Sequence, residues 1–227
     1  MRPVKMSEME SANAPVPPDL VQLTALEARV LGCLIEKAAT TPEAYPLTLN
    51  SAHLACNQKS NRDPIMNAEP GAVGQALRTL EDKKLARVVH GARALRYEHT
   101  IDAALNLTTR SRAVVGLLLL RGPQTLNELF TRSERLADFP SAELLGDTLE
   151  RLMTREPPLV TRIGRASGQR EDRYMHLLSG PVSIESLPAP RGEGRREPGD
   201  RYAELEARVD ELERIVAGLQ EKMAPPQ

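Results

Sequence analysis

Aromatic residues are scarce in this chain, which holds no Trp, 2 Phe and 4 Tyr in 227 residues. Proteins that bind RNA or single-stranded DNA use rows of rings on which bases stack, so the composition argues against that mode. Cysteine is nearly absent as well. Cys33 and Cys56 cannot make a disulfide scaffold, and a reducing compartment suits them. Long apolar runs are missing: Val114 to Leu120 is the longest candidate, far short of the roughly 18 residues of a membrane helix. Arg2 and Lys5 are followed by no apolar stretch, so no secretory signal is expected and the expected compartment is the cytoplasm, with no membrane partner. A net charge of −1 supplies no global basic field, and any nucleic-acid contact has to rest on local patches.

Catalytic signatures are missing too. The chain has no phosphate-binding glycine loop, no His-Glu-x-x-His and no Gly-x-Ser-x-Gly. His53 and Cys56 stand three apart, with Cys33 on a preceding helix, but a structural metal site needs four ligands at a recognisable spacing. The expectation is a protein that is not an enzyme, with no cofactor and no metal.

What is present is a folded middle written twice. Residues 1–22 carry Pro3, Pro15, Pro17 and Pro18 with little apolar content and read as a disordered leader. Residues 180–200 are rich in Pro, Gly and charge and read as a flexible linker. Between them, the first copy (23–104) opens on Thr24-Ala25-Leu26-Glu27, a capping box that satisfies free amides at a helix start. Leu26, Val30, Leu31, Leu34, Ile35 and Ala38 follow at helical spacing, and Pro42 marks the stop. A second helix is predicted from Thr48, and a third from Pro70, which is tolerated at a first helical position. Two strand-like runs, 85–90 and 95–99, then form a hairpin.

The second copy (105–179) repeats this order. It has a helix from Thr108 striped by Val114, Leu117 and Leu118, a capping box at Thr125 to Glu128, a helix capped by Ser141, and a hairpin over 159–178. In the third helices Val73, Leu77 and Leu80 match Leu145, Leu149 and Leu152 at a constant offset of 72. Three helices and a hairpin, twice, is the order of tandem winged helix-turn-helix domains, in a class that is mainly α with small β-hairpins (α+β).

The tail, 201–223, reads as heptads, with Tyr202, Val209 and Val216 at a and Leu205, Leu212 and Leu219 at d. It is a coiled-coil helix expected to form a parallel homodimer, the alternative being a single amphipathic helix folded back on its own core.

Between the second and third helices lies "NQKSNRDP". Asn57 can end the second helix in a left-handed conformation, Asn61 and Asp63 can make side-chain turns, and Pro64 blocks further helix. The same groups, Asn57, Gln58, Lys59, Ser60, Asn61 and Arg62, are also those that grip phosphates. The stretch exceeds the 3–4-residue turn typical of the motif, so it either braces the helix pair or contacts a partner.

Together the segments "LTALEARVLGCLIEKAATTPEAYPLTLNSAHLACNQKSNRDPIM", "ALRTLEDKKLARVVHG" and "RYEH" resemble the YceH family of uncharacterised bacterial proteins, over residues 23 to 180. The resemblance implies a tandem winged-helix fold. It brings no substrate, ligand or catalytic residue.

Local charge supplies the functional expectation. From Arg78 to His99, six cations stand against three carboxylates. The expected double-stranded DNA contacts are the loop residues above, Gln75 and Arg78 on the third helix, and Arg93 and Arg96 on the hairpin. Glu143, Asp147 and Glu150 on the third helix of the second copy would repel DNA, so that copy is expected to meet a protein partner or its own neighbour. The leading expectation is a DNA-binding protein of the transcriptional-regulator kind. The alternative is a protein-interaction adaptor without DNA contact.

Overall fold

In a computed structural model, residues 21–91, 94–164 and 171–180 are described. The leader up to residue 20, the linker beyond Gly180, the tail with Leu205, Val209, Leu212, Val216 and Leu219, and the hairpin residue Arg93 lie outside them.

Helix α1 (Ala25–Thr40) starts as its sequence dictates: the Thr24 hydroxyl accepts the Glu27 N–H at 3.2 Å, and the Glu27 carboxylate accepts the Thr24 N–H at 3.1 Å. A three-ten turn over Pro42–Ala44 follows it. Strand β1 (Leu47–Thr48) runs directly into helix α2 (Leu49–Cys56), which Thr48 caps. Helix α3 (Pro70–Asp82) begins on its proline, and strands β2 (Ala86–His90) and β3 (Leu95–His99) form the expected hairpin. The sheet has a third strand that the sequence reading lacks. β1 pairs antiparallel with β3, Leu47 opposite Tyr97 and Thr48 opposite Arg96, giving the order β1-β3-β2. Two residues are too few to display the alternation that marks a strand.

A short helix, α4 (Ile101–Leu105), was also not anticipated. It ends at Asn106 in a left-handed conformation, φ 50°. The second half then repeats the first: α5 (Thr109–Arg121), β4 (Gln124–Thr125), α6 (Leu126–Ser133), α7 (Ala142–Thr154), β5 (Val160–Ile163) and β6 (Arg173–His176), with sheet order β4-β6-β5. Thr108, Thr125 and Ser141 cap its helices, and Thr125 with Glu128 completes the capping box. Among the described residues this makes a mixed helical and antiparallel α+β structure.

The two halves meet through α1 and α5. The sequence shows an apolar stripe on each helix, yet Glu27 to Ile35 of α1 and Ala113 to Leu120 of α5 are buried without interruption. Each helix gives one face to its own half and the other to its counterpart, so each is buried all round. One hydrophobic cluster runs through both halves, from Val30 and Leu34 to Leu118, Leu145 and Leu178. Among the described residues no helix is long and apolar enough to cross a membrane.

Candidate nucleic-acid interface

Thirteen positions, 57–69, separate α2 from α3, whereas eight, 134–141, separate α6 from α7. The longer connection is tied down at both ends. The Asn57 side-chain amide donates to the Ala68 carbonyl at 2.9 Å, and its oxygen accepts the Ala68 N–H at 2.8 Å. His53 Nε2 lies 3.0 Å from the same carbonyl. Asn57 does not take the left-handed conformation expected of it, having φ −94°; Asn61, at φ 57°, does.

Arg62 is the centre of the loop, and it points inward. The residue is 5% exposed. Its guanidinium donates to both Glu36 oxygens (3.1 and 2.6 Å), to the carbonyls of Ala55 (3.0 Å) and Asn61 (2.8 Å), and to Gln58 Oε1 (2.9 Å). A guanidinium has five N–H donors, and all are used. Burial works against the charge, but the Glu36 carboxylate outweighs it and holds the guanidinium above its ordinary pKa. The expectation that Arg62 offers its charge to a phosphate is therefore corrected: it has no donor to spare, and Gln58, bonded to it, is held in the same cluster.

The loop also reaches the second half. The Asp63 N–H donates to the Leu120 carbonyl at 3.0 Å, at the C-terminal end of α5, and Arg121 donates to the Asn61 side-chain oxygen at 3.0 Å. A carbonyl in the last turn of a helix has no partner within that helix, so the loop from one half finishes a helix of the other. Arg29 of α1 holds the loop from beneath, donating to the Cys56 carbonyl (3.2 Å) and the Pro64 carbonyl (2.6 Å). Sequence reasoning missed Arg29. Its one signal was a cation inside an apolar helical run.

Of the sequence-predicted contact residues, Lys59 and Ser60 are exposed, and Asn61 is exposed while bonded to Arg121. Gln75 and Arg78 share the exposed face of α3, the Arg78 guanidinium donating to Gln75 Oε1 at 2.8 Å. Arg96 is turned back onto the fold, donating to the Pro46 carbonyl at 2.7 Å. The structure thus splits the predicted set, with Asn57, Gln58, Arg62 and Arg96 engaged internally and Lys59, Ser60, Gln75 and Arg78 facing outward.

Two further features of the surface bear on partners. Leu49, Leu54, Ile65 and Leu95 are exposed large apolar residues, all in the first half. In the second half Glu143, Asp147 and Glu150 are exposed on α7, as their spacing predicts. Cys33 and Cys56 are both fully buried and unbridged, and among the described residues no three potential ligands converge on a metal position.

The family described as "Protein of unknown function, DUF480" matches residues 23–169, which include both halves up to the second hairpin. The chain belongs to that family. Its curated relatives carry the name UPF0502 protein, and the resemblance to the YceH family is borne out. The chain is 49% identical to the UPF0502 protein of Pseudomonas syringae pv. tomato over 218 residues, 95% of this chain and 98% of that protein. It is 51% identical to one from Mesorhizobium japonicum over 205 residues (90% and 96%), and 52% identical to one from Xanthomonas campestris pv. campestris over 204 residues (89% and 91%). These relatives align over nearly the whole chain, and their shared name attaches no activity to it.

Proposed function

We propose that the chain is a non-enzymatic DNA-binding protein, built from tandem winged helix-turn-helix halves, that holds duplex through its first half. The observation that carries this reading is the order helix, strand, helix, helix, strand, strand, closed as β1-β3-β2, with Gln75 and Arg78 left exposed on the third helix. That helix is the one such folds lay in the major groove. Its first turn, Pro70-Gly71-Ala72, carries no side chain able to reach base edges. Binding of this kind grips phosphates through Lys59, Arg78 and the hairpin cation Arg93 and reads little sequence.

Few cations imply a shallow salt dependence. Two or three neutralised phosphates per chain give a log–log slope of about −2 to −3. Anisotropy of a labelled duplex across a salt series tests this. Lys59→Glu with Arg78→Glu is expected to abolish binding. No detectable affinity at low salt, or an affinity that the charge reversal leaves unchanged, ends the proposal. The heptad tail would pair two chains and raise affinity through effective concentration. Truncation after residue 185 is then expected to leave the mass of a single truncated chain in solution.

The second reading, an adaptor that holds protein partners, is supported by the exposed Leu54 (60%) and Ile65 (58%) and by the acidic face of α7. It predicts co-purification of a stoichiometric protein with no nucleic acid, and loss of that partner in Leu54→Lys with Ile65→Lys.

A further inference from the structure

A cleft of about 470 Å³ opens between the halves, where the start of α1 faces the end of α5 and strand β6. Its volume falls within the roughly 300–1,000 Å³ of small-molecule sites. Much of its wall is aliphatic, with Leu23, Ala28, Leu118 and Leu119, and Met66 and Met175 also line it. Two other lining residues are polar, buried and incompletely bonded. Arg29 is 1% exposed and its Nε has no partner; His176 is 3% exposed and its Nδ1 has none.

Among the described residues two arginines are buried, and they differ in how their donors are used. Arg62 uses all its donors and holds both oxygens of Glu36. Arg29 donates only to two backbone carbonyls, which leaves most of its five N–H groups unmet and its charge without a bonded carboxylate. Asp63, on the cleft rim, attracts it but forms no hydrogen bond or ion pair with it. Burial lowers the Arg29 pKa, and Arg62 adds repulsion. A buried cation is costly unless an anion and further hydrogen bonds compensate it, and this one borders a cavity able to admit an anion.

We propose that the cleft binds a small monocarboxylic acid with an apolar body, its carboxylate accepting from Arg29 and its body lying along the Leu118–Leu119 wall. A single negative charge matches the one guanidinium of the cleft lining, which has no bonded carboxylate. The His176 imidazole, kept neutral at neutral pH by burial, adds one N–H donor or acceptor and no second charge. The aliphatic wall selects for a hydrocarbon body over a free inorganic anion. This assignment does not depend on the DNA-binding reading, since none of its residues is among the proposed DNA contacts.

Methyl-labelled methionine in the full chain provides the test. Acetate, butyrate, octanoate and benzoate are titrated, with 1-octanol and inorganic phosphate as controls. The longer acids are expected to shift the Met66 and Met175 methyl signals and leave that of Met153, on α7, in place. Octanoate is expected to bind at least tenfold more tightly than 1-octanol, the low end of what a charged hydrogen bond contributes. Arg29→Met should remove that preference, bringing octanoate and 1-octanol to equal affinity. If Arg29→Met does not fold, the wild-type comparison of octanoate with 1-octanol decides alone. Equal affinity for acid and alcohol, phosphate binding as tightly as the acids, or no shift at Met66 and Met175 with any acid overturns the proposal.

Discussion

Gly116 of α5 lies so close to Ile35 of α1 that a methyl group placed on it would stand 2.7 Å from the Ile35 Cγ2. Gly32, eight positions after its capping threonine as Gly116 is after its own, is held in the same way, 2.9 Å from Leu120 Cδ2. The crossing of the two halves is therefore built on a pair of equivalent glycines. Ile35 is 1% exposed and has little room to yield. Gly116→Ala gains up to about 1 kcal/mol of helix propensity but incurs about 1–3 kcal/mol of overpacking, so net destabilisation is expected. Gly146, in α7, has nothing within 4 Å of an added methyl, and Gly146→Ala should stabilise by about 0.5–1 kcal/mol. Urea titrations of the two variants check the opposite signs.

The Glu36–Arg62 pair predicts an asymmetry. Removing one partner of a buried ion pair costs about 3–5 kcal/mol because the other charge is left uncompensated. The Arg62 side chain is 0% exposed and that of Glu36 13%. Glu36→Leu strands the charge that water cannot reach, whereas Arg62→Met strands the one that water can partly reach. Chemical denaturation should place Glu36→Leu near the upper end of that range and Arg62→Met near the lower, with the double variant less destabilised than the sum of the two.

His176 makes stability depend on pH. Burial lowers its pKa from 6.5 to about 4, so between those values the unfolded chain binds a proton that the folded one refuses. Its contribution is fully present above about pH 6.5, falls as the pH drops, and is gone near pH 4. The total is about 3 kcal/mol. His176→Leu should flatten this segment of the stability profile, and the difference between wild type and variant isolates it from the carboxylates.

Cys33 and Cys56 are fully enclosed, and the Cys56 thiol is pushed up by its hydrogen bond to Cys33 and by burial. Neither thiol is expected to react with a disulfide reagent in the native protein at pH 8, and both should react at once in denaturant. Stoichiometric labelling of the native chain would contradict the enclosed arrangement.

Much of this molecule is local and was legible. Capping boxes at Thr24 and Thr125 join residues three apart, Pro70 and Gly122 mark helix ends through their backbone chemistry and Ser141 through its hydroxyl, so α1, α3, α5, α6 and α7 follow from neighbouring residues. The two-residue strands are different in kind. Leu47–Thr48 is a strand only because Arg96 and Tyr97 lie opposite it.

The loop shows the same division at the candidate site. Its polar composition fits a phosphate grip and a brace equally well. Arg62 turns inward because Glu36, twenty-six residues earlier, waits beneath it, and Asp63 and Asn61 because the end of α5 offers them partners. By itself the sequence determined the long helices, their N-terminal caps, the repeat and the family, since these rest on short-range periodicity and hydrogen bonds, while the short α4 and the end of α2 at Asn57 escaped it. Only the tertiary structure decided which cations are buried, that α1 and α5 share one core, and that Arg29 borders a cleft. Burial and charge compensation depend on residues that the fold brings together and the chain keeps apart.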